Sequence, residues 1–132
     1  MTFIDNRNQG KEALSKATLK YLFQACILVE GQAVLLAPVK YGRLRDSIDY
    51  YVDEKELVGY VGTDVEYAIY VEFGTGEHAE NGRGRKGGWV YMSPDGEFHF
   101  TTGMEPQPYL RPSFREKKND LESLAKVVYS EI

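Results

Sequence analysis

Apolar residues recur at Leu14, Ala17, Tyr21, Ala25, Leu28 and Leu35 with helical spacing, and Leu22, Val29 and Leu36 widen the stripe. Residues 11 to 36 therefore read as one long helix, with Pro38 as its stop. Gly31 is its weak point, costing about 1 kcal/mol relative to alanine. At about 1.5 Å per residue such a helix is about 39 Å long, more than so small a domain needs internally. Its far end is expected to serve contacts outside the subunit. After a turn-rich approach through Tyr41, Gly42, Arg43, Leu44 and Arg45, the period changes to two. Ile48, Tyr50 and Val52 alternate with Asp49 and Tyr51, residues 53 to 56 turn, and residues 57 to 63 return as a second strand. A second hairpin pairs residues 89–92 with 98–101 across Ser93-Pro94-Asp95-Gly96, a sequence suited to a type I turn. Leu121, Leu124, Ala125 and Val128 give a closing helix, extended back towards Phe114 after Pro112. Residues 65 to 73 carry two signals. Their alternation suits a strand, whereas Asp64 as a cap and Gly74 as a stop suit a short helix.

With 132 residues, 42% of them hydrophobic, and a formal charge of -4, the chain reads as a single folded domain over 1–132, neither disordered nor large enough for two cores. One cysteine, Cys26, precludes an internal disulfide framework and a multi-cysteine zinc site; inside the helix it reads as a small core residue. No apolar run is read as approaching the roughly 20 residues of a membrane span. A soluble protein with no membrane partner is expected, and its net acidity argues against whole-surface nucleic-acid binding.

The charge is unevenly distributed. Residues 41 to 80 hold ten acids and three bases, a net of -7 that leaves the remainder at +3. Six of the thirteen glycines fall between Gly74 and Gly88, a stretch whose one apolar side chain is Ala79. Ordering such a segment costs about 1–2 kcal/mol per residue, and loops of this length are either functional or disordered. Residues 75–88 are expected to form a flexible arm that cannot anchor itself to a core.

Catalytic and ligand-binding motifs fail one by one. His78-Ala79-Glu80 resembles a deaminase His-x-Glu locally, but the two further cysteine ligands are missing. His99 between Phe98 and Phe100 reads as a surface or interface histidine. The arm lacks Walker spacing and precedes a strand, so it is not a phosphate loop. No catalytic, metal or cofactor-binding residue is assigned, and no small-molecule substrate is implied. Arg83, Arg85 and Lys86 do form a local basic cluster. As a finger on nucleic acid it would make the chain a nucleic-acid-binding accessory protein. As an assembly arm it would lie on the acidic surface of an identical neighbour, in a heterologous, ring-closing contact. The ten tyrosines, many at strand or turn positions, fit either packing or interface use.

Four motifs in order resemble one family: Ala37-Pro38 with Gly42-Arg43-Leu44-Arg45-Asp46-Ser47-Ile48; Val61-Gly62-Thr63; Tyr67-Ala68-Ile69-Tyr70-Val71-Glu72-Phe73-Gly74-Thr75; and Gln107-Pro108-Tyr109-Leu110-Arg111-Pro112-Ser113-Phe114. Together they resemble the tailed-phage neck, tail-completion or head–tail joining proteins typified by gene product ten of the lambdoid phage HK-ninety-seven. Ser113 stands where alanine is expected. The resemblance implies a short helix over residues 65–73 and hence an α+β fold: a long N-terminal helix, a small antiparallel sheet of two β-hairpins, a short middle helix and a C-terminal helix. It implies a non-enzymatic virion component at the neck or upper tail, made in the bacterial host cytoplasm or from a prophage. Its partners would be copies of itself in a ring and adjacent neck and tail proteins. Gly42, Arg43, Arg45, Gly74, Pro108 and Pro112 are expected to be structural, and Glu72, pairing with Arg43 or Arg45, to hold the fold or the ring together.

Overall fold

The computed structural model describes residues 7–132. Helix α1 (Arg7–Leu36) is the beam on which the other elements are laid. It runs two residues short of Pro38, and its last turn closes with the Ala37 N–H donating to Ala33 O at 2.9 Å. The buried line along α1 is Cys26, Val29 and Ala33, continued by Ala37. The predicted stripe is corrected at both ends, because Leu14 and Leu35 are 52% and 74% exposed. Apolar residues occur on every side of α1, so periodicity could not tell which side is covered. By length and composition residues 8–36 are also apolar enough to cross a membrane, correcting the expectation that no such run exists. In the fold one side of α1 is covered by the elements described next.

Where a turn was expected, residues Gly42–Ser47 form a short helix, α2, which buries Leu44. Strands β1 (Asp49–Asp53) and β2 (Val58–Gly62) pair antiparallel, Tyr50 opposite Val61 and Val52 opposite Gly59. One face of this hairpin lies on α1, with Tyr50 edge-on to Phe23 at 6.4 Å. Gly59 permits the crossing: a Cβ there would come within 2.6 Å of Cys26 Sγ. The tip is held by Asp53 Oδ1, which accepts the N–H groups of Lys55 and Glu56, both at 3.0 Å.

The ambiguous middle segment is helical, α3 (Ala68–Phe73). Gly74 ends it as expected, but Asp64 does not cap it; Tyr67 occupies the cap position without a side-chain bond. Thr63 Oγ1 instead accepts the Val65 N–H at 3.1 Å on the approach. Strands β3 (Trp89–Met92) and β4 (Phe98–Thr101) match the predicted hairpin residue for residue. The two hairpins are separate two-stranded sheets. The closing helix is two helices, α4 (Leu110–Glu116) and α5 (Lys118–Ser130), broken at Lys117. Helix α5 returns along α1, where Thr18 Oγ1 meets the Tyr129 hydroxyl at 3.0 Å and Val128 is buried. Ala33, Ala37, Leu44, Ile48, Val65, Ala68, Val71 and Tyr109 make the core. Ala33 of α1 and Ala37 just beyond it share this core with Leu44 of α2 and with Ala68 and Val71 of α3.

Candidate assembly surface

The site is built outward from Glu72, which lies in the last turn of α3 and is 4% exposed. A buried carboxylate requires partners, and these come from the start of α4. Its oxygens accept the backbone N–H groups of Tyr109 at 2.8 Å, Leu110 at 3.1 Å and Arg111 at 2.8 Å. A helix start leaves four N–H groups without intrahelical partners. Here Glu72 takes three, and the fourth position is Pro112, which has no N–H. Tyr109 offers no side-chain cap of its own, so a remote acid caps α4. The proposed pairing of Glu72 with Arg43 or Arg45 is therefore corrected. Arg43 lies 3.5 Å from Glu66 in an exposed pair, worth about 0–1 kcal/mol, and Arg45 Nε is buried without a hydrogen-bond partner. Both arginines belong to α2, away from the carboxylate's actual partners.

Arg111 completes the node. Its guanidinium grips Glu80 with both terminal nitrogens, at 2.8 and 3.1 Å. It also donates to the Glu72 carbonyl at 3.0 Å, approaches the Glu72 carboxylate at 3.5 Å and lies 4.3 Å over the Phe73 ring. The Arg111 hydrogen bonds hold the Glu80 carboxyl below the usual carboxylate range, and Glu80 in turn raises Arg111. Burial, with the Glu72 charge as the lesser cause, pushes the Tyr109 phenol up to about 12. Ser113, fully buried, settles its hydroxyl on the Leu110 carbonyl. Arg111 and Glu80 were not legible as partners, since 31 residues separate them. The one available signal was a helix opening without Ser, Thr, Asp or Asn at its cap.

This node fixes the base of the Gly-rich arm. Gly74 turns the chain at φ 81°, where a Cβ would sit 2.9 Å from both His78 O and Met104 O. The Thr75 N–H then donates to Met104 O at 2.8 Å, Glu77 N–H to Thr102 O at 2.9 Å and Glu80 N–H to Phe73 O at 3.0 Å. The expectation that the arm cannot anchor itself is corrected for residues 75–80: backbone hydrogen bonds and polar side chains such as Glu80 do what apolar side chains could not. His78 Nε2 meets Thr102 Oγ1 at 3.2 Å, so His78 and Glu80 serve different partners. Gly42 starts α2 in open space, and Pro108 lies in the extended run before α4.

Beyond residue 80 the character of the surface changes. Arg83, Arg85 and Lys86 are exposed, and among the described residues none joins an ion pair. The Arg85 guanidinium lies 5.5 Å over the Trp89 ring. Together with Ile69, Tyr70 and Phe73 of α3, Arg83 and Arg85 line a cavity of about 510 Å³. In the β3–β4 register Val90 faces Phe100 and Met92 faces Phe98, so these four share one side of the sheet. They are 62%, 66%, 62% and 74% exposed, respectively. The other side stacks Tyr91 on His99 at 5.3 Å. At the hairpin end, ligand atoms of Asp95, Glu97 and His99 converge within 4.8 Å, a grouping that sequence reasoning did not single out. The Asp95 carboxylate is already engaged by the Ser93 hydroxyl and the Glu97 N–H, which lower its pKa.

Basic side chains that join no ion pair among the described residues thus lie beside exposed apolar ones. Residues 2–74 match the family described as bacteriophage HK97-gp10-like tail components. The chain belongs to that family. The matched residues run from α1 through α3 and stop at Gly74, where the basic arm begins; the resembling motif at residues 107–114 lies outside them. No curated protein and no solved structure matches the chain. As an HK97-gp10-like tail component the protein has a structural role in a phage particle, a role that fits a non-enzymatic chain interacting with other tail proteins in the virion.

Proposed function

We propose that the protein acts at the neck or upper tail of a tailed phage or prophage particle, in head–tail joining or tail completion, as one subunit of a ring. The observation that carries this reading is the β3–β4 hairpin. Four large apolar side chains on one of its sides stand 62–74% exposed, and the arm leading into it presents Arg83, Arg85 and Lys86 to solvent. Exposed apolar patches of this kind mark interaction sites, and unpaired charge beside them supports specificity more than affinity. Copies of the chain and the adjoining neck and tail proteins are the partners; the host cytoplasm is where assembly takes place.

Deleting the gene and imaging the particles tests the reading. Filled heads separated from free tails are expected. Intact infectious virions would overturn it.

A further inference from the structure

We infer that the cavity between α3 and the basic arm receives the acidic tip of the β1–β2 hairpin of a second copy of this chain. The inference rests on the ring reading above and names the two surfaces that meet.

The cavity sets the chemistry of its occupant. Its wall is apolar and accessible: Ile69, Tyr70 and Phe73 are 59%, 55% and 40% exposed. Arg83 and Arg85 are part of the same lining. An occupant must therefore bring an apolar group together with negative charge, and at about 510 Å³ there is room for a few side chains. The chain carries such a segment. Residues 53–58 read Asp-Glu-Lys-Glu-Leu-Val, three acids against one base followed by two apolar side chains. Leu57 and Val58 are both exposed, at 36% and 39%. The segment is also held in shape before any encounter. Asp53 Oδ1 takes the Lys55 and Glu56 N–H groups, and Leu57 sits at φ 56° in the turn. Preorganisation of this kind reduces the ordering cost of binding.

In its own chain the tip does not line the cavity. The hairpin is laid on α1 through Gly59 against Cys26, and the tip lies about 17 Å along the strands from the end that leads into α3. Donor and acceptor are different parts of the molecule, and in the ring reading the contact runs head to tail, the tip of one copy in the cavity of the next. It propagates from copy to copy until a ring closes.

The test uses a phage lacking the gene, complemented by full-length variants. Arg83→Glu with Arg85→Glu reverses the cavity, and Glu54→Lys with Glu56→Lys reverses the tip; Asp53, which holds the turn, is kept. Each pair is expected to lower the yield of joined particles at least about tenfold, with all four changes together recovering most of it. Wild-type complementation by the Glu54/Glu56 pair, or no recovery in the fourfold variant, would overturn the inference. A second measurement covers a variant that fails to fold. In the otherwise wild-type chain, Leu57→Cys with Ile69→Cys is expected to give covalent multimers from mildly oxidised particles, and particles yielding monomers alone would overturn the docking. The two readings fail separately. Intact virions after gene deletion remove the tail-joining role, whereas separated heads and tails with full Glu54/Glu56 complementation remove only this contact.

Discussion

The part of the molecule built on α1 and the limb formed by residues 81–101 differ in that only the first has a buried core. On the α1 side, Leu44, Val71 and Tyr109 are buried, and the key charges are matched within the chain: Glu72 to the α4 N–H groups, Arg111 to Glu80. In the limb, Phe98 and Phe100 face solvent and Arg83 and Arg85 have no acid within ion-pair distance among the described residues. Apolar burial and satisfied charge are what make a chain fold. Apolar exposure and unmatched charge do nothing for folding and are retained where a second surface completes them. The first region makes the fold; the second supplies the exposed groups on which the proposed assembly draws.

The sharpest way to break that contrast is at Glu72. Replacing it by alanine leaves three backbone N–H groups without their acceptor and should destabilise the isolated chain by about 2–4 kcal/mol in denaturant unfolding. Glu72→Gln keeps one acceptor oxygen and should cost about half as much. Unchanged unfolding in both variants would show that the cap is not what holds α4. Gly74→Ala places a Cβ at φ 81° against two carbonyl oxygens, and should cost about 1–3 kcal/mol.

The limb should behave in the opposite manner. Phe98→Ser with Phe100→Ser should move the unfolding free energy of the isolated chain by no more than about 0.5 kcal/mol while abolishing joined particles in complementation. A clear loss of stability would mean that the hairpin belongs to the fold. Replacing Arg83, Arg85 and Lys86 by alanine should weaken assembly in a salt-sensitive manner with an unchanged melt. Assembly indifferent to that change would remove the arm from the interface.

The smallest expected effect is on pH dependence. The folded-state carboxyl of Glu80 lies below its ordinary 4.5 because Arg111 binds the ionised form. The unfolded chain therefore takes up that proton first as pH falls. The stabilisation is fully present above 4.5 and is lost as pH drops through the depressed folded value. Glu80→Gln should flatten acid unfolding in that window, which circular dichroism at stepped pH would measure. An identical acid profile would mean that the Arg111 pair contributes nothing.

Much of the fold was legible because local rules suffice for local elements. The β3–β4 hairpin followed from alternation around Ser-Pro-Asp-Gly, and α1 from spacing and Pro38. Helix α2 was missed because Gly42 and flanking turn residues outweighed a helical stretch of six residues. Helix α4 was mis-started because the group that satisfies its opening turn sits 37 residues away, on Glu72. The pairing of Glu72 with an α2 arginine failed for the same reason: sequence shows that a charge needs a partner but not which distant group arrives. The arm was read as unable to anchor itself since only apolar side chains were weighed, whereas residues 75–80 are held through backbone bonds and through the Glu80 carboxylate.

By itself the amino-acid order determined most of the elements, the lopsided charge and the motifs of the tail-component family, because propensity, periodicity and composition act over a few neighbouring residues. Only the tertiary structure decided which side of α1 is covered, which N–H groups Glu72 would cap, and that the β3–β4 phenylalanines would be left bare. Those outcomes depend on which surfaces reach one another across tens of residues, and hydrophobic attraction, being non-directional, carries no address in the sequence.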